Sequence, residues 1–130
     1  MKYFVSKTIE GDFEKVIEHV TNELKFIGFG VLTIIDVKKT LKMKINDDFK
    51  PYTILGACNP YFASKALRLE DKLGVLLPCN VVIIEQAPNV IEVAAMDALT
   101  MVGGLGNEKL TELAKEVSCK MEKMINDLSL

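Results

Sequence analysis

The chain has few of the groups on which small active sites are usually built. Its 130 residues include one histidine and three cysteines. His19 lies off the apolar stripe of its helix, on the expected surface, so a Cys–His nucleophile pair or a histidine-rich zinc site is hard to assemble. Cys58, Cys79 and Cys119 are odd in number and form no C-x-x-C, unlike a secreted disulfide framework. No apolar run approaches the ~20 residues that span a bilayer, and Val81 to Ile84 is strand-sized. The first residues lack the long apolar core of a signal peptide. Sixteen basic residues against eighteen acidic ones give a net charge of −2, without the basic excess of a nucleic-acid binder. These absences point to a cytoplasmic protein with reduced thiols and neither a nucleic-acid nor a membrane partner.

Apolar residues make up 49% of the chain, enough for one domain of this length to close a core rather than stay disordered. Residues 2–9 alternate as a first strand. Asp12 caps a helix whose stripe is Phe13, Val16, Ile17, Val20, Leu24 and Ile27, ended by Gly28 and Gly30. Phe29 to Ile35 reads as a short buried strand. Asp36 caps a short helix with Val37, Leu41 and Ile45 on one side, and Asn46-Asp47-Asp48 breaks it. Tyr52 to Ala57 is a strand. Asn59-Pro60 starts a helix that turns Ala63, Ala66 and Leu67 inward and stops near Gly74. Val81 to Gln86 and Val90 to Met96 flank Ala87-Pro88-Asn89 as a hairpin. Asn107 caps the last helix, with Leu110, Leu113, Ala114, Val117, Met121, Met124, Ile125 and Leu128 in its stripe. The expected fold is a single α+β domain over residues 1–130, in the order β-α-β-α-β-α-β-β-α, with its helices packed on one sheet.

Chemistry concentrates at two strand boundaries. Cys58 precedes the Asn59-Pro60 helix start, where free N–H groups and the helix dipole lower a thiol pKa or hold an anion. The alternative is a small residue buried at a tight turn. Cys79 lies in Leu77-Pro78-Cys79-Asn80, so Cys-Asn occurs twice, each time beside a strand. Cys119 falls off the stripe of the last helix and is expected in solvent. A metal site on Cys58 and Cys79 would need oxygen donors such as Asp36 or Glu85, and none is assigned. Gly103-Gly104-Leu105-Gly106 opens a helix but has neither the Lys-Ser/Thr of a P-loop nor a dinucleotide fingerprint, so no cofactor is identified. Lys38, Lys39, Lys42 and Lys44 form the one basic cluster. They are either a solvated face or, through Lys38 or Lys42, a hold on an anionic ligand.

The strings Ile54-Leu55-Gly56-Ala57-Cys58-Asn59-Pro60 and Leu76-Leu77-Pro78-Cys79-Asn80-Val81-Val82, with Glu85, Asp97 and Gly106-Asn107, resemble the uncharacterised prokaryotic family known as domain of unknown function 302. The resemblance implies the same α+β domain and a homodimer. It also implies shared weight on Cys58, Asn59 and Pro60 and on Pro78, Cys79 and Asn80. Lys44 and Asn46 lie where no family pattern matches. Three readings stay open. One is a small-molecule, anion or metal-binding module with Cys58, Asn59, Cys79, Asn80 and Lys42 at its site. Another is a thiol-dependent redox or enzymatic protein using Cys58. The last is a purely structural homodimeric subunit.

Overall fold

The structure, a computed structural model, describes residues 2–129. Its elements are β1 (Phe4–Glu10), α1 (Phe13–Phe26), β2 (Gly30–Asp36), α2 (Val37–Ile45), β3 (Tyr52–Cys58) and α3 (Pro60–Leu69). A 3-10 helix (Asp71–Leu76) leads to β4 (Cys79–Ala87) and β5 (Val90–Met96), then α4 (Ala98–Val102), a short 3-10 turn (Gly103–Leu105) and α5 (Glu108–Asn126). The strands form one sheet in the order β1-β5-β4-β3-β2, with every neighbouring pair antiparallel. The α+β architecture is the one expected from the sequence.

Strand alternation decides which side of the sheet is buried. Leu55 and Ala57, Val81 and Ile83, and Ile91, Val93 and Ala95 are all fully inaccessible, and successive members of each strand stand two residues apart. Against them lie Val16, Val20 and Leu24 of α1 and Leu110, Ala114, Val117, Met121, Met124 and Ile125 of α5. Asp12 and Asn107 begin these helices as expected, accepting from the backbone N–H groups of Lys15 and Leu110. Lys7, on β1, donates from Nζ to the carbonyl oxygens of Asn126 and Leu128 at 2.9 and 2.7 Å. A cation there satisfies the last carbonyls of α5 and complements its dipole.

Three expectations are corrected. Phe29 to Ile35 is not a buried strand: only Phe29 is inside, while β2 is the outermost strand and leaves Leu32, Ile34 and Ile35 exposed. With a neighbour on one side only, an apolar run at a sheet edge cannot be enclosed by its own domain. The helix α2 forms as expected, although Ile45 on its apolar side is exposed and none of its residues is fully buried. The third helix ends at Leu69, because Glu70 takes an extended conformation, and the chain to Leu76 tightens into a 3-10 helix. Leu67 is exposed, and Ala66 alone on α3 is buried. The sequence reading also missed α4. Its N-cap Asp97, followed by an apolar stretch, is the signal that marks it.

Glu85 is half-buried beside a register shift between Glu85 and Ala87, and its N–H donates to the Pro51 carbonyl at 3.0 Å. The bulge explains a charged residue inside an apolar strand.

Truncating Ile125, fully buried at the centre of this core, to alanine should lower unfolding stability by about 2–5 kcal/mol. Phe26→Ala, at a side chain 87% exposed, should stay within about 0.5 kcal/mol of the parent. Urea unfolding midpoints of the two variants check the assignment, and equal midpoints would refute it.

Candidate functional site

At the end of the sheet where β3 finishes and β4 begins, a cleft of about 440 Å³ opens between the strands and α3, α4 and α5. The register brings its parts together. Ala57 pairs with Cys79 across β3 and β4, and Cys58 pairs with Gly30 across β3 and β2. Gly56 is required here. A Cβ on it would collide with the Thr33 hydroxyl and come within 2.7 Å of the Pro78 ring. Its bare backbone lets β2 and the Pro78 segment close on β3 from either side.

Over the cleft, α3 is held by a few contacts rather than by a buried face. Phe62 stacks on the buried Phe29 with ring centroids 6.4 Å apart. At the other end, Asn107 Nδ2 donates to the Leu69 carbonyl at 2.9 Å, joining the end of α3 to the start of α5. Asn107 therefore serves two helix ends with one side chain.

Cys58, Asn59 and Cys79 all line the cleft, as does Thr33, which sequence reasoning did not single out. Asn80 does not line it. One residue beyond Cys79, it points to the other side by strand alternation and is exposed. Lys42 is also outside, on α2, and forms an exposed ion pair with Asp48 at 2.9 Å. Cys119 is exposed, as its helix position predicts, and His19 is half-buried on α1 away from the cleft. Met96, Met101, Val102 and Leu113 complete the walls. The local spacing around Cys58 and Cys79 gave no sign of them, because they reach the cleft from the far end of the chain.

Two electrostatic facts shape what the site can do. Burial, and secondarily the nearby Cys58, push the Cys79 thiol from 9.0 up to about 11. Cys79 is therefore a neutral thiol at physiological pH and a poor nucleophile. The N-terminus of α3, where an anion was expected, has already used its donors. Pro60 has no N–H, Tyr61 and Phe62 donate to Asn59 Oδ1 at 3.0 and 3.2 Å, and the Ala63 N–H goes to the Asn59 carbonyl at 2.9 Å. No first-turn N–H group of that helix is left for an anion. Among the described residues, no three His, Cys, Asp or Glu side chains gather as a metal site.

A separate polar cluster lies outside the cleft. Burial alone would raise the Asp97 carboxyl. Hydrogen bonds from the Ser118 and Thr100 hydroxyls and from backbone N–H groups, including that of Leu99, outweigh it and hold the carboxyl below its ordinary value. Asp97 caps α4 and ties it to α5, which is a structural task.

The profile of the family described as "Domain of unknown function DUF302" matches residues 5–128. The chain belongs to this family. The crystal structure of an uncharacterized conserved DUF302 protein from Bacillus stearothermophilus is similar at a TM-score of 0.88 and 25% identity, covering 97% of this chain and 98% of that one. No curated protein matches the chain. The DUF302 assignment fixes the fold and leaves activity to be argued from the cleft.

The raised thiol has a consequence for stability. A group whose folded pKa lies above its unfolded value stabilises fully below the unfolded value and loses that contribution as pH rises through the folded one. Stability should thus be insensitive to Cys79 below about pH 9 and fall between 9.0 and about 11. Chemical denaturation across that range should show the decline in the parent and a shallower one in Cys79→Ala. An identical slope in both would remove Cys79 as its source.

Proposed function

We propose that this DUF302 protein is a binding module for a small, largely apolar molecule held in the cleft under α3. The observation that carries the reading is the composition of the walls. About 440 Å³ is lined by aliphatic, aromatic and methionine side chains, with Thr33, Cys58, Asn59 and Cys79 as its polar exceptions. Ligand sites of this size are typically apolar with a few placed polar groups, and a guest removes from water the walls that the empty cleft leaves wet. The occupied α3 N-terminus weighs against the anion reading, and it leaves no first-turn N–H group to hold a Cys58 thiolate. A reducing, cytosolic compartment is the setting that its three free thiols suit. A neutral fluorophore such as N-phenyl-1-naphthylamine should bind saturably, one per chain, with a Kd on the order of micromolar. Ala63→Trp, which fills the cleft from α3, should abolish the signal while the far-ultraviolet circular dichroism stays unchanged. Absence of saturable binding to the folded parent would defeat the proposal.

A specific observation supports the homodimer as well. The two edges of the sheet differ. On β1, Ser6, Lys7, Thr8 and Glu10 supply polar or charged groups, and Lys7 anchors the C-terminal segment alongside. On β2, residues 30–35 carry no charge ahead of Asp36 at its end, and Leu32, Ile34, Ile35 and the neighbouring Met43 and Ile45 are exposed. An unguarded apolar edge invites another strand. A second copy meets it best, because antiparallel pairing about a two-fold axis at Thr33 places Leu32 opposite Ile34 and Val31 opposite Ile35 and brings no like charges together. These five side chains expose on the order of 600 Å², most of the ~800 Å² that each partner of a stable interface buries. Sedimentation at micromolar concentration should show a dimer, and Ile34→Lys a folded monomer. A monomeric parent, or a dimer indifferent to Ile34→Lys, would overturn this interface.

A further inference from the structure

The cleft has two chemically different ends, and the strand order separates them. Cys58 ends β3, Cys79 begins β4, Asn59 lies in the turn that follows β3, and Thr33 stands midway along β2. Register joins them: Gly56 pairs with Thr33, and Ala57, next to Cys58, pairs with Cys79. The opposite wall comes from Met96 at the end of β5, Met101 and Val102 of α4, and Leu113 and Val117 of α5. No polar side chain interrupts that wall.

The polar end is also uncharged. Among the described residues that line the cleft there is no Lys, Arg, His, Asp or Glu. The backbone N–H groups of α3 are spent on Asn59. What remains is the Thr33 hydroxyl, the thiols of Cys58 and Cys79, and the Asn59 side-chain nitrogen, whose partner oxygen alone serves the helix. A carboxylate or ammonium buried here would meet no opposite charge, whereas a hydroxyl, ester or amide would find donors and acceptors of its own kind.

Building on the apolar-ligand reading above, we infer that the natural guest is a neutral amphipathic molecule, an alkyl or acyl chain ending in an uncharged hydrogen-bonding head. The head lies between Thr33, Cys58 and Asn59, and the chain runs beneath α3 toward Met101 and Leu113. Complexation involves no covalent step.

Displacement of bound N-phenyl-1-naphthylamine by 1-decanol, decanoate and decyltrimethylammonium at pH 8 tests the head. These share one chain length and differ in charge. Decanol should displace the probe at a concentration at least about tenfold lower than either ion, because an unpaired buried charge is costly. Thr33→Val should narrow that preference while leaving the fluorophore bound. Direction is tested at the other end: Met101→Trp should remove the advantage of decanol over 1-hexanol and leave hexanol binding unchanged. Should that variant not fold, Thr33→Val still reports on the polar end. Equal displacement by all three heads, or preference for either ion, would overturn the neutral head while the apolar-ligand reading stands. A fluorophore that binds but yields to no alkyl chain would overturn the chain-like guest alone. A folded parent that binds no fluorophore would overturn both.

Discussion

Burial on one side of a five-stranded antiparallel sheet is the constraint from which the other features follow. Side chains alternate across each strand, so enclosing Leu55, Val81, Ile83, Ile91 and Val93 under α1 and α5 commits their neighbours to the opposite side. Two long helices suffice for the middle of the sheet but leave its corners. At one corner α3 spans the gap without filling it, which makes the cleft. At the outer edge no strand among the described residues pairs with the free side of β2, which leaves the apolar strip. Both proposed interactions therefore occupy places where a single-layer cover falls short.

The cleft depends on how closely three segments approach around Gly56. Thr33 and the Pro78 ring occupy the volume a side chain would take, so the strand ends are drawn together while α3 is held away by Phe62 and Asn107. Close packing below and sparse packing above give a rigid floor with a lightly attached roof. Such an arrangement suits entry of a guest, because regions with few buried contacts open at lower free energy than the core.

Much of this was legible in the sequence, for identifiable reasons. The stripes of α1 and α5 repeat over several turns, and Asp12, Asn59 and Asn107 announce helix starts through local chemistry. The doubled Cys-Asn strings fall at the end of the sheet where the cleft opens. Alternation alone was enough to separate Asn80 from Cys79, and that signal went unused. Lys42 lies outside the cleft, on a solvated face, and its partner Asp48 lies beyond the helix end, where periodicity says nothing. The buried reading of β2 failed because apolar composition records a preference for burial and not which molecule provides it. Met101 and Leu113 were illegible in principle at short range, since only long-range folding brings them beside Cys58.

The Lys7 contacts join residues 121 positions apart in the chain, and β1 pairs along its whole length with β5. The outermost strand on that side is thus the first to be synthesised, while its only sheet neighbour is the last strand made. During translation β1 has no ladder to join until β5 has emerged, and α5 has no Lys7-bearing strand to rest on until that pairing forms. Loop-closure entropy is consequently met late and in one step, which favours an all-or-none transition over stepwise assembly from the N-terminus. A nascent chain halted before β5 would expose the apolar side of β1, with Val5 and Ile9, to whatever chaperone surveys the ribosome exit.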